Sequence, residues 1–594
     1  MALKYKNPGV YVEEISIFPP SIAQLETAIP GFIGYTAKRE KNGIAFDVNV
    51  PQRITSLLEF EQYFGLAYPE LLEVTIENPD KGSNMPKIAV NPTTAVSGYL
   101  LYYHVKMFYD NGGGPCFVVS VGDFAETPVI VKSDLKNGLD ACEKEDAITL
   151  LAIPEITALS SASEILELND AMLAQCAKLK DRFSILDVPQ SSSATPIRDA
   201  DTFRSDFVSA DHLKYGAAYY PKIQTKATYN RTADDFIKIA ADNRGTGTNN
   251  GIYKQVDDTK QSITKIIDTS NPVTALKALG TITFESNELE NHSISIAGIS
   301  FKFGGSDGMP SGSAAVSAES LRVAIAAHPD LSALVVATVD GTIATLTAVT
   351  AGNDGNNITM VYDPKGKTPA VTLSGPALTG GFDSIDFTLF HEINAALNAY
   401  TVPLYPSGMV AGIMARVDNN RGVWKAPANE SIRTVDKPLV KISDQEQVYL
   451  NVDPNGGKSI NAIRKFDSKG TLIWGARTLA GNDNEWRYVP IRRLFIMVEE
   501  SIKKATEFVV FEPNDANTWI RVKAMCENFL NQLWRQGALA GAKPEHAYFV
   551  NVGLGVTMTS LDILEGRLII EIGLAAIRPA EFIILKFSLL LVKS

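Results

Sequence analysis

Four cysteines in 594 residues, Cys116, Cys142, Cys176 and Cys526, stand far apart with no CxxC pair among them. Neither a disulfide framework nor a cysteine zinc site is expected. Histidine is scarce too, with six residues, and HEINA at His391 lacks the second histidine of HExxH. No cluster has metal-ligand spacing, so no metal, cofactor or catalytic constellation is expected. Basic charge is in deficit: 55 Lys and Arg against 67 Asp and Glu give a net charge of −12. That leaves no footprint for a phosphate backbone, and nucleic acid is not an expected partner. No run approaches the roughly 18–20 apolar residues of a membrane-crossing helix, and MALKYKNPGVYVEE has no signal-peptide core. Direct membrane insertion is therefore not expected, and the chain should be made and assembled in the cytoplasm.

What is present is ordinary globular composition, 45% hydrophobic and 21% charged, in a chain long enough for roughly three or four domains. From about 93 to 221, apolar strands alternate with helices. Thr93 and Thr94 can cap a helix through Val96, Tyr99, Leu100, Tyr103 and Met107. CFVVSV, ITLLAIP, FSILDVP and KYGAAYYP then read as strands, with a helix over Ser163 to Lys180. Near-continuous apolar strands separated by helices predict a parallel sheet covered on both faces. Residues 226–390 turn Thr-, Ser-, Gly- and Asn-rich. SISIAGISFKF, ALVVATV, TIATLTAV and NITMVY read as short strands there, with one helix near Ala318 to Ala327. After about 396 the α/β pattern returns. It offers a helix over Ile491 to Thr506, a strand at FVVFEP, a helix from about Asn517 to Gln536, and strands at AYFVNVG and GRLIIEIGLA. The expected class is a multidomain α/β (α+β) fold, with α/β core domains, a mostly β inserted domain and extended terminal strand arms. The expected segments are an arm over 1–25, a first core part over 26–225, the insertion over 226–395, a second core domain over 396–577, and an arm over 578–594.

Two stretches invite a chemical reading. GGKS, Gly456 to Ser459, follows a strand-like run, but a phosphate loop needs glycine where Val452 stands, so a turn is expected. Asp123, Glu155 and Asp187 fall at strand ends, where an α/β enzyme places its polar groups; capping of a helix or turn is the plainer expectation.

The chain's two ends pose the harder question. In NPGVYVEEISIFPP, Val10 and Val12 alternate with Tyr11 and Ile15 between flanking prolines. In RPAEFIILKFSLLLVKS, Ile583, Leu585 and Phe587 take one face and Phe582 and Ile584 the other. An unpaired apolar edge strand is an aggregation hazard. Such strands either pair with their own sheet or are donated to a neighbour by β-augmentation.

The motifs NPGVYVEEI, AIPGFIGYT, PSGMVAGIMARVDNNRGVWKAPAN, WGARTL, WRYVPIRRLFIMVEESI and DILEGRLIIEIGLAAIRPAEFIILKF occur here in order. They resemble the sheath proteins of contractile phage tails and of related extracellular injection systems, over about 1–225 and 400–594. The resemblance implies a structural, non-enzymatic subunit of a six-fold helical homopolymer around an inner tube. It implies contraction that drives the tube through a target envelope, and partners in the tube, baseplate and tail-terminator or cap proteins. Such particles assemble in the cytoplasm and act in a virion tail or a released extracellular particle. Val10, Tyr11, Val12, Ile15, Phe582, Ile583, Ile584, Leu585 and Phe587 are the expected subunit-linking residues. Glu499, Glu500, Lys503 and Lys504 are candidates for a tube-facing surface. The alternatives are another tail or injection-system structural protein, and a cytosolic multidomain α/β enzyme whose insertion binds substrate.

Overall fold

The computed structural model describes residues 22–77, 87–92, 96–191, 195–231, 237–242, 261–262, 277–286, 289–304, 309–310, 312–350, 353–379, 387–453, 455–582 and 584. It is a mixed α/β multidomain architecture whose described residues fall into two compact units. One draws on 1–68, 97–230 and 401–594, the other on 69–96 and 231–400.

The first unit is built on a nine-stranded sheet. Its spatial order is Glu430–Ser431, Gly470–Ile473, Ile460–Phe466, Gly216–Tyr220, Phe183–Asp187, Leu150–Ala152, Pro30–Thr36, Cys116–Asp123, Gln52–Ile54. The six strands from Ile460–Phe466 to Cys116–Asp123 run parallel, and the outer pairings are antiparallel. Burial on both faces explains the unbroken apolar runs: Phe183–Asp187 and Gly216–Tyr220 are buried at every position. Ile460–Phe466 adds directly to Gly216–Tyr220, so distant parts of the sequence share one sheet.

Helix Leu101–Asp110 lies against helix Ser407–Arg421 at a separation only glycine permits. A Cβ at Gly408 would sit 2.5 Å from the His104 carbonyl oxygen, and one at Gly412 would crowd that of Phe108 equally. Thr93 and Thr94, the expected caps, lie outside the described residues. The cap observed comes from the 3-10 turn Pro154–Ala158, where the Glu155 carboxyl accepts the N–H groups of Leu100, Leu101 and Tyr35.

In the second unit, Leu72–Glu77 pairs with Lys87–Pro92 and, in parallel, with Lys238–Asp242, which groups residues 69–96 with 231–400. A second core closes around Phe284, Phe303, Leu321, Ile325 and Leu346, beneath helix Ala314–Ala327. SISIAGISFKF is not one strand but a hairpin, Ser293–Ile296 and Ile299–Lys302. Ala297 and Gly298 both take positive φ (51° and 80°), as a tight two-residue hairpin turn requires.

FVVFEP is not a strand either. A 3-10 turn over Glu507–Val509 is followed by an exposed loop. Helices Val489–Ala505 and Ala516–Arg535 pack into one core through Val498, Ile502, Val522 and Cys526. The ten residues between them serve as the connection, and no strand lies beside them to complete a ladder among the described residues. Gly412→Val should cost about 1–3 kcal/mol by forcing the two helices apart. A lowered urea midpoint of the soluble subunit would register it; an unchanged midpoint would contradict the close approach.

Candidate assembly site

The strand-end carboxylates serve packing. Asp123 takes a two-pronged ion pair from Arg39, at 2.9 and 3.0 Å. Glu155 is fully buried; burial pushes its carboxyl up to about 8, against the lowering effect of its three N–H donors. Asp187, pushed up to about 7 by burial, accepts the N–H of Ser407 at 2.9 Å and its hydroxyl at 2.6 Å. Ser407 Oγ also lies 3.2 Å from His104 Nδ1, a Ser, His and Asp grouping that the sequence spacing did not disclose. Here serine, not histidine, occupies the middle, and all three are buried, with desolvation pushing His104 down to about 3. A nucleophilic relay needs the imidazole between serine and carboxylate, so this set locks Ser407–Arg421 onto the sheet. GGKS forms a turn, with Gly457 at φ 73°. The Asp453 carboxylate accepts the N–H groups of Asn455, Gly456 and Lys458, and Lys458 Nζ donates to the carbonyls of Arg204 and Val208. The four cysteines are free and buried. Among the described residues, no three His, Cys, Asp or Glu side chains could hold a metal ion, and no helix is long and apolar enough to cross a membrane.

The geometry instead concentrates on where the first described residues and residues 577–582 join the body. Ile22 is buried beside helices Val489–Ala505 and Ala516–Arg535. The Leu25 N–H donates to Ser501 Oγ at 3.3 Å and the Thr27 hydroxyl to Asp418 at 2.5 Å. Arg493, 3% exposed, ties this together by bonding both Asp418 oxygens (3.0 and 2.5 Å) and the Thr27 carbonyl (2.8 Å).

A matching clamp holds the other exit. Glu581 accepts from Arg477 Nε (2.9 Å) and Nη2 (2.7 Å), from Asn451 Nδ2 (2.7 Å) and from the Tyr488 hydroxyl (3.0 Å). Burial raises this carboxyl's pKa, but the bonds from Arg477, Asn451 and Tyr488 and the Arg477 charge outweigh it and hold the group below its usual range. Tyr488 is the residue that begins helix Val489–Ala505, so the two clamps attach to one helix. Beyond Glu581, Phe582 and Ile584 are 72% and 79% exposed.

Beside these exits lies a two-stranded hairpin, Tyr548–Val552 with Ile570–Leu574. Val550 is buried, and Tyr548, Ile570, Ile572 and Leu574 pack with it onto helix Ala516–Arg535. Gly573 lies opposite Phe549, whose ring fills the space a side chain would need. Among the described residues no third strand joins this sheet; only the bridge Leu539–Ala576 extends it. Two strands alone are marginal, and their open edges can accept more.

Of the expected linking residues, Phe582 and Ile584 stand exposed at the exit, while Val10, Tyr11, Val12, Ile15, Ile583, Leu585 and Phe587 lie outside the described residues. The four tube-facing candidates sit on Val489–Ala505. Glu499 pairs with the buried Arg492 at 2.9 Å and Glu500 with Lys503 at 3.1 Å. Glu500 and Lys504 line a cavity of about 300 Å³ with Leu25 and Arg493. Sequence reasoning missed Glu581, Arg477, Asp418 and Arg493. A lone glutamate inside the apolar run AEFIILKF was the available signal.

Residues 481–589 match the model of the phage tail sheath C-terminal domain. The tail sheath protein of Salmonella phage ViI is 26% identical over 139 residues, 23% of this chain and 21% of that protein. That of Burkholderia phage BcepMu is 27% identical over 200 residues, 31% of this chain and 41% of that protein. The matched region thus spans less than half the length of either relative. The fold resembles the sheath of an extracellular contractile injection system, PVC, in its contracted state, with TM-score 0.50 and 24% identity over 98% of both chains. It also resembles a chain of the contracted baseplate of the anti-feeding prophage, with TM-score 0.55 and 20% identity over 98% of this chain and 99% of that one.

Because the Glu581 carboxyl is held below its usual pKa, its contribution is present at neutral pH. It is lost as the pH falls through that depressed value. Limited proteolysis after residue 577 should therefore accelerate in acid in the native chain and lose that pH dependence in Glu581→Gln. Equal acid sensitivity in both would contradict the clamp.

Proposed function

Since the chain belongs to the tail sheath family, we propose that it is the repeating subunit of a contractile sheath. Copies polymerise as a six-fold helical tube around an inner tube and contract to drive that tube through a target envelope. The observation that carries this reading is the pairing of an under-completed hairpin with exposed apolar residues leaving a clamped exit. An open two-stranded sheet gains by accepting strands, and the segments 1–25 and 578–594 supply them to neighbouring copies. Each added strand is weak alone, but a mesh of many holds every link at high effective concentration.

In this reading the inserted domain, 226–395 in the sequence and joined by residues 69–96, is the part that varies most freely, and the core over 396–577 supplies the contacts to the tube. The extended sheath is metastable, and the free energy of contraction comes from new interfaces formed between copies, with no nucleotide consumed. The partners are the inner tube, the baseplate and a terminator or cap protein. Assembly takes place in the cytoplasm, and the product works in a virion tail or a released particle. Val10, Tyr11, Val12, Ile15, Phe582, Ile583, Ile584, Leu585 and Phe587 make the links.

Deleting Ala580–Ser594 should leave a soluble core that forms no striated tubes by negative-stain electron microscopy, whereas the full chain expressed with its tube protein forms them. Normal tubes from the truncated chain would refute the linking role. Glu499, Glu500, Lys503 and Lys504 are the proposed tube-facing charges, with Lys503 the more solvent-exposed partner of its pair, 67% against 14% for Glu500. Replacing Lys503 and Lys504 by glutamate should abolish co-assembly with the tube; unaltered co-assembly removes that surface.

A further inference from the structure

The loop after Glu507–Val509 presents a fully exposed aromatic side chain, Phe511, beside Val510, which is 63% exposed. Phe511 holds φ 70°, the left-handed region that disfavours a bulky residue. Strained backbone that displays an apolar side chain to water is a feature of binding sites rather than of idle loops. The loop itself is acidic, with Arg521 of the following helix 3.9 Å from Glu512 as the basic partner at its edge. Residues 507–515 carry Glu507, Glu512 and Asp515 and no basic residue.

The same unit contains a complementary surface. An open groove of about 950 Å³ is lined by Trp424, Val448 and Trp474, and its cations Arg421, Lys425, Arg464 and Arg578 outnumber its carboxylates Asp444 and Glu581, Asp444 being paired with Arg464 at 2.8 Å. Among the described residues Arg421 and Arg578 make no ion pair, and Val448 is 66% exposed at the groove wall. The groove also includes Gln536 and Gly537, just past the end of helix Ala516–Arg535, whereas the Phe511 loop precedes its start. Twenty residues of helix separate finger and groove by about 30 Å, so they cannot meet within one copy.

We infer that the acidic-rimmed finger Val510–Phe511–Glu512 of one copy inserts into the cationic, tryptophan-lined groove of a second copy. The two surfaces differ, so the contact is head-to-tail and propagates rather than closing into a pair, as a helical polymer requires. An isologous contact, finger against finger, would bring acidic rims together. This contact rests on the self-polymerising reading above; it uses side chains rather than strand pairing, and its groove borders the root of the 578–594 segment through Arg578 and Phe582.

The test uses assembled particles of the full chain carrying Phe511→Cys with Val448→Cys; the four native cysteines are buried. Mild oxidation should give a ladder of covalent dimers and higher multimers on a non-reducing gel, with neither single variant doing so. Absence of the ladder in normally assembled tubes, self-linkage by Phe511→Cys alone, or its linkage to the tube protein would each overturn the contact. As a second measure, Phe511→Asp should cut tube yield about tenfold or more, as loss of an interface anchor does, with the subunit's thermal midpoint unchanged. Full yield would overturn it. A native chain that forms no tubes would instead defeat the sheath reading itself.

Discussion

Everything proposed for this molecule depends on one helix, Val489–Ala505, and the two charged clamps fastened to it. At one end Tyr488 helps hold Glu581; further along, Arg493 and Ser501 hold residues 25–27. The Arg493–Asp418 pair is nearly buried, with side chains 3% and 6% exposed. Such a pair adds little over an apolar equivalent, yet losing one partner costs about 3–5 kcal/mol because the other charge is stranded. What it supplies is direction. The chain cannot shift its exit point without breaking bonds to both the helix and Asp418. A force applied to either exiting segment is therefore delivered to the same rigid rod.

The rod is itself well seated. Its paired arginines, which the sequence presents like surface charge, are buried: Arg492 stacks over Tyr215 and Trp486 with its guanidinium carbon 5.0 and 4.6 Å from the ring centres, and Arg493 bonds Asp418. Below it, the nine-stranded sheet ties the helix to elements hundreds of residues away. The hairpin at 548–574 leans on the neighbouring helix and shares one core with Ile22, near the first described residues.

Much of the parallel sheet was legible because doubly buried strands must be apolar throughout. CFVVSV, ITLLAIP, FSILDVP and KYGAAYYP announce themselves for that reason. Strands whose neighbours come from far along the chain were harder. The addition of Ile460–Phe466 to the sheet, and of Leu72–Glu77 to Lys238–Asp242, is set by long-range pairing that no local pattern encodes. FVVFEP shows the converse error, since β propensity without a partner strand yields a loop. Phe582 and Ile584 could be singled out by alternation. Arg477 and Asp418 could not, because a buried salt bridge is visible only once both partners are placed; for Glu581 the sequence offered only the hint of a charge inside an apolar run.

The most direct measurement of the central claim is electron cryo-microscopy of assembled particles, tracing the chain onward from Ile584. The account predicts that this segment leaves its own subunit and adds as a strand to the 548–574 hairpin of a neighbour, with the Glu581 clamp intact at its root. A segment that folds back onto its own hairpin, leaving neighbouring copies unlinked, would contradict it.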